Sequence, residues 1–174
     1  MDHTEVLGDT IEKITTDKCG IMKPNGTFVV APCQKAEVMP IVKEEAEKKD
    51  NCVIEASMND IQLLHTDLNG TDFLYHGSTL HLPLIGVHQS LNVCTVLAVT
   101  EQLKQKGFPI EINHIKAGLA KVQFPARWEI VRKNPLIIID GAHNQDGIDM
   151  IKASVKQYLP NRTIVAVIGA LRDK

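Results

Sequence analysis

The run Leu136-Ile137-Ile138-Ile139-Asp140-Gly141-Ala142-His143-Asn144 decides how this 174-residue chain is read. Its first four residues are continuously apolar, as a buried strand requires, and the small and polar residues after them turn the chain. An amphipathic helix is predicted next, over Gln145–Tyr158, and after Pro160-Asn161 a second apolar strand over Thr163–Ile168. Strand, helix and strand in that order predict a βαβ unit. In open α/β sheets, ligands bind at the carboxyl ends of strands, beside helix N-termini. Asp140 and His143 fall at such a point and could orient a nucleotide; a helix cap plus a turn glycine is the plainer reading.

Upstream, Arg127–Arg132 and Leu136–Asp140 read as two strands with Lys133-Asn134-Pro135 between them. The residue before a proline is driven out of the helical region, so this step suits a linker. It divides the chain into residues 1–133 and 134–174. One βαβ unit cannot cover both faces of its own sheet, so the second domain reads as cut short.

The first domain repeats the α/β pattern. Asp9 and Glu12 have capping-box spacing, and a helix is predicted from Thr10 to Cys19 with Gly20 as a left-handed stop. A strand over Thr27–Ala31, a helix over Lys35–Lys49 and a strand over Cys52–Ala56 follow. Asn69-Gly70, between Ile61–Leu68 and Thr71–Tyr75, is a strong hairpin signal, and Thr79–Leu84 adds a third strand. That antiparallel meander interrupts the α/β pattern as a small side sheet. Gln89–Lys106 reads as a helix ending at Gly107, and a shorter helix capped by Asn113 runs to about Lys121.

Composition narrows the function. Net charge is −2, charges are interspersed and aromatics are only 4%. A nucleic-acid surface built on phosphate contacts and stacking is therefore not expected. No apolar run approaches the length needed to cross a bilayer. The four cysteines are scattered and form no Cys-x-x-Cys pair, which suits reduced thiols in a cytoplasmic protein.

Other residues could carry chemistry. Arg127 suits phosphate recognition, because a guanidinium is always charged and bonds in a planar fork. An exposed strand-end arginine is its plainer reading. Asn92 lies one turn into a helix opened by His88-Gln89-Ser90, where its amide could face a ligand or only bond to nearby backbone. His3 and Lys18 alone would be taken as a frayed terminus and a solvated charge. No glycine is followed by Lys-Ser or Lys-Thr, so the 174 residues hold no Walker A loop.

Five segments in order resemble the folylpolyglutamate synthase/dihydrofolate synthase family of the Mur ligase superfamily. They are Asp2–Gly8, Asp17–Lys23, Gly86–Asn92, Pro125–Val131 and Asp140–Asn144. The resemblance implies an α/β fold: the C-terminal part of a Mur-ligase-type P-loop ATPase domain with its side sheet, then the first βαβ unit of a Rossmann-like glutamate ligase domain. It implies ATP and Mg2+ as cofactors, with folate (tetrahydrofolate or dihydropteroate) and L-glutamate as substrates. His3 matches a magnesium ligand, although imidazole is an unusual one for that ion. Lys18 matches a lysine that is carbamylated, a change that replaces a repelled ammonium with oxygens. Asn92, Arg127 and Asp140 match nucleotide contacts, Arg127 toward phosphate and Asp140 toward the ribose or base, while His143 shapes the site. The family's members are expected to be monomers.

Departures from the family are Asp17 and Cys19 around Lys18, where glutamate and alanine are usual, and Ala126 before Arg127, where glycine is usual. In the family, the phosphate loop and the acidic magnesium ligand lie upstream of Asp2-His3-Thr4. Met1 is therefore read as beginning mid-domain, and the 174 residues alone are expected to lack ligase activity. A non-catalytic remnant, a bifunctional dihydrofolate synthase and a Mur-type peptidoglycan ligase are the alternative readings.

Overall fold

A computed structural model describes residues 10–169. They form an α/β structure in two compact units. The first comprises the chain up to Gln62 with Ser90–Glu111, and the second Leu63–Gln89 with Ile112 onward.

In the first unit, α1 (Ile11–Cys19) is followed by β1 (Thr27–Val30), α2 (Val38–Glu47) and β2 (Cys52–Glu55). β1 and β2 are parallel, with Phe28 opposite Val53 and Val29 opposite Ile54. Parallel strands need a crossover, and α2 supplies it. Cys19, Met22, Val30, Val42 and Ala46 form the core beneath it. Helix α3 (Gln89–Gln105) adds the fully buried Cys94 and Leu97 and stops before Gly107, whose φ of 91° ends it as expected.

Two details of α1 correct the sequence reading. The cap is Thr10, whose hydroxyl accepts from the Lys13 amide at 3.2 Å. Gly20 is right-handed, with φ −56°, so it is no left-handed stop. Asp9 lies outside the described residues.

In the second unit, β3 (Gln62–Asp67), β4 (Gly70–Tyr75) and β5 (Ser78–Leu82) form one sheet in that order. Asp72 and His81 are cross-strand partners 2.7 Å apart. Gly70 has φ 131°, and a Cβ there would meet the Leu82 carbonyl oxygen at 2.1 Å, so the turn requires glycine. Helix α4 (Ile112–Ala120) packs on β5. Asn113 lies inside α4 rather than capping it.

β6 (Glu129–Lys133) and β7 (Leu136–Ile139) are antiparallel neighbours across Asn134-Pro135. Helix α5 (Gln145–Tyr158) has the predicted bounds, capped by Asn144, whose side-chain oxygen accepts from the Gly147 amide at 2.8 Å. Its inner side joins Trp128, Ile85 and Leu159 in the unit's core. The expected strand over Thr163–Ile168 is a correction: these residues pair with no strand among the described residues, and Val165 and Val167 are 88% and 96% exposed. Strand propensity measures fit to a neighbouring strand and a covered face, and neither is present here. The βαβ unit is thus represented by β7 and α5 only.

Candidate functional site

The second unit gathers the segment Phe124–Glu129 and the turn Asp140–Asn144 at the end of β7. Asp140 ties them together. One of its carboxylate oxygens accepts from the Trp128 amide at 2.8 Å, and the other from the Ala142 amide at 2.8 Å. The Gly141 amide donates to the Ala126 carbonyl at 2.8 Å. Ala126 in turn donates its amide to the Glu129 carboxylate at 2.9 Å. Hydrogen bonds to charged groups are worth about 1.5–3 kcal/mol each, roughly twice neutral ones. Their combined strength sustains an unusual backbone: Ala126 and Trp128 are both left-handed, with φ 54° and 51°.

A left-handed L-residue costs roughly 1–2 kcal/mol, which explains why glycine would suit position 126. Ala126→Gly should therefore raise the unit's stability by about 0.5–1 kcal/mol, after the extra freedom of glycine in the unfolded chain is deducted. Chemical denaturation of the two proteins, followed by Trp128 fluorescence, checks this. An unchanged or lower midpoint would mean that the backbone at 126 carries no strain.

Arg127 stands between the two left-handed residues. Its guanidinium makes no hydrogen bond or ion pair among the described residues and lies over the Phe124 ring, 5.6 Å from the centroid. A Cβ added to Gly141 would come within 3.1 Å of Arg127 Nη1, so the absence of a side chain there makes room for the guanidinium. The half-buried cation keeps its fork of donors uncommitted beside a strand-end carboxylate.

His143 is exposed, and its Nδ1 lies 2.9 Å from the Gly141 carbonyl. A carbonyl only accepts, so Nδ1 carries the proton.

His88, which the sequence reading passed over, shares this neighbourhood. The Gln89 amide nitrogen donates to its Nε2 at 3.0 Å, which leaves the proton on Nδ1. That Nδ1 is buried and makes no hydrogen bond among the described residues. Burial lowers the imidazole below its ordinary value of 6.5; the Asp140 charge opposes the shift and the Arg127 charge reinforces it. Gly86, with φ 129°, makes room for the ring: a Cβ there would lie 2.8 Å from His88 Cε1. The pattern Gly86-x-His88 was the available signal.

The other expected site residues are placed as follows. Lys18 is exposed in the last turn of α1, and Asn92 is exposed in the first turn of α3, both in the first unit. His3 lies outside the described residues. No group of three or more His, Cys, Asp or Glu residues able to hold a metal occurs among the described residues. All four cysteines are free thiols, and no described helix is long and apolar enough to cross a membrane.

Residues 126–174 match the family described as Mur ligase, glutamate ligase domain. The chain is 31% identical, over 99% of its length, to the dihydrofolate synthase/folylpolyglutamate synthase of Bacillus subtilis, covering 42% of that protein. It is 32% identical over its whole length to the folylpolyglutamate synthase of Lacticaseibacillus casei, again covering 42%. Among solved structures, a folylpolyglutamate synthase in complex with AMPPCP and folate superposes with a TM-score of 0.81 at 27% identity, covering 94% of this chain and 41% of that one. The Mycobacterium tuberculosis folylpolyglutamate synthase complexed with ADP gives 0.73 at 28% identity, covering 89% and 36%. The chain thus spans about two fifths of the length of the curated relatives it matches.

Proposed function

We propose that the chain, which is similar along its whole length to folylpolyglutamate synthases and dihydrofolate synthases, forms part of an ATP-dependent ligase adding L-glutamate to the γ-carboxylate of folates. The observation that carries the reading is the uncommitted guanidinium of Arg127 beside the Asp140 carboxylate and the mouth of α5. A cation with free donors favours phosphate oxygens, and each Asp140 oxygen keeps a second lone pair for a ribose hydroxyl. Two relatives of known structure hold AMPPCP or ADP, which supports a nucleotide here.

In this reading the folate carboxylate attacks the γ-phosphorus of ATP, giving an acyl phosphate and ADP. The amine of glutamate then displaces phosphate, forming the amide. Protein residues bind, orient and neutralise charge, and no covalent nucleophile of the chain is needed. By the resemblance Asn92, in the first unit, is also a nucleotide-contacting position, while His143, in the turn after Asp140, shapes the site. Mg2+ would be held by His3 and a carbamylated Lys18, and the described residues alone do not form a set of ligands for it. The same reading places the protein in the cytoplasm as a monomer, with tetrahydrofolate or dihydropteroate as the pterin substrate. It also divides the chain at 133/134 into the end of the ATPase domain and the start of the glutamate ligase domain; the matched ligase region begins at residue 126.

Titrating the 15N-labelled chain with ADP tests the proposal. Saturable shifts are expected at Arg127 Nε–Hε and at the Ala142 and His143 amides. Arg127→Ala should weaken the affinity about tenfold or more, as loss of a charged hydrogen bond implies. Shifts that never saturate, or that survive Arg127→Ala unchanged, would remove the nucleotide from this site.

A further inference from the structure

We infer that Glu129 is a positioning residue for Arg127: its carboxylate holds Ala126 left-handed and so fixes the direction in which the guanidinium leaves the backbone.

The geometry rests on which groups are pinned. Ala126 donates its N–H to Glu129 Oε2 at 2.9 Å, and its carbonyl accepts from Gly141 N at 2.8 Å. With both polar groups of one residue anchored, its two soft dihedrals have little freedom left. The peptide after Arg127 is anchored too, because Trp128 N donates to Asp140 at 2.8 Å. The Arg127 Cα therefore hangs between two fixed peptide planes. Of these anchors, the Glu129 bond is the one supplied from within the segment itself, three residues away, and it is the one that opposes the relaxation of a non-glycine residue out of φ 54°.

Glu129 itself sits at the start of β6, and the neighbouring Trp128 is 3% exposed in the core. The carboxylate thus works from a rigid base, as a positioning group must. Its carbon stem reaches back over one turn of chain, which is the span of a capping side chain and not that of a ligand contact. Glu129 needs no contact with nucleotide to affect it. A guanidinium that bonds phosphate in a planar fork loses most of its advantage when its origin is free to swing.

The role of Arg127 in phosphate binding rests on the function proposed above; the positioning itself does not. The experiment separates them by following the Arg127 backbone amide in the 15N-labelled 174-residue chain, with and without ADP. The {1H}–15N NOE of this amide should match that of the flanking strands in the parent and in Glu129→Gln, which keeps an acceptor oxygen at the same reach. In Glu129→Ala, and in Glu129→Asp, which keeps the charge but is one methylene short, it should fall toward values of mobile loops. ADP affinity should drop about fivefold or more in those two variants and stay within twofold in Glu129→Gln. If Glu129→Ala does not fold, the comparison of aspartate with glutamine carries the test. A rigid Arg127 in Glu129→Asp, or equal loss of order in Glu129→Gln, would overturn the inference. Loss of order with no ADP binding in the parent would uphold the positioning role and refute the nucleotide site.

Discussion

Asp140→Ala is expected to destabilise the second unit by about 3 kcal/mol, because it strands two backbone donors at once. The Trp128 and Ala142 amides, each 2.8 Å from one carboxylate oxygen, are part-buried and find no other acceptor within the turn. An unsatisfied buried donor costs about 1–3 kcal/mol, and bonds to a charged acceptor lie toward the upper end. Asp140→Asn should recover about half of the loss. Its amide oxygen serves one of the two N–H groups, while its NH2 faces the other, donor to donor. Guanidinium chloride unfolding, read by Trp128 fluorescence, measures the difference. A loss below about 1 kcal/mol in Asp140→Ala would show that water satisfies these amides, and that the carboxylate is free for a ligand instead of serving the fold.

This double duty bears on how Asp140 works in the proposed site. A carboxylate already accepting two backbone hydrogen bonds is oriented before any ligand arrives. That is what a ribose hydroxyl requires of its acceptor. The same bonds hold the residue after Arg127. Changes at position 140 should therefore affect nucleotide binding twice, through the lost contact and through the loosened segment, and the two effects will not add as independent sites.

Much of this was legible in the sequence, and the limits have physical causes. The bounds of α5 were readable because its apolar side, its cap and its exit all agree: Asn144 is a good N-cap, and Pro160 cannot continue a helix. The meander of β3, β4 and β5 was readable because Asn69-Gly70 admits few backbone conformations besides a tight turn. The strand expected from Arg127 starts only at Glu129, because Ala126 and Trp128 turn left-handed, and neither residue type announces that. Two carboxylates impose the conformation, one of them twelve residues away along the chain at Asp140, and such tertiary capture leaves no periodic trace.

The Thr163–Ile168 run failed in the opposite way. Its apolar, β-branched residues read as a buried strand, yet they lie exposed and pair with no strand among the described residues. Propensity nominates a strand, and only a neighbour makes one. Arg127, Asp140 and His143 were nominated from a motif, and the structure brings them to one strand end in one unit. His88 and Glu129 were missed for different reasons. His88 is hidden by Asn92, the more conspicuous residue of its segment. Glu129 acts on a backbone amide, and a backbone amide has no sequence signature.

Trp128→Ala should have the largest effect on stability, about 3–5 kcal/mol, with the loss confined to the second unit. Trp128 is 3% exposed, its ring centre lies 5.4 Å from that of Tyr158, and it packs with Ile85 and Leu159 at the heart of that unit's core. Truncating a buried aromatic costs its transfer energy and leaves a cavity, and together these give losses of that size. One term works the other way: alanine tolerates φ 51° somewhat better than a bulky side chain does, so the backbone becomes slightly less strained as the core empties. Packing outweighs that gain severalfold. The Tyr158 hydroxyl, 3.0 Å from the Thr66 hydroxyl, would lose the ring that braces it, and the tie between α5 and β3 would weaken with it. Because Trp128 is the single tryptophan of the chain, the variant has to be followed by other probes. Amide hydrogen exchange resolves the units: protection of β4, β5 and α5 should collapse, while β1, β2 and α2 keep theirs. Equal loss in both units would show that they unfold as one cooperative body, and the assignment of Trp128 to a core of its own would then be wrong.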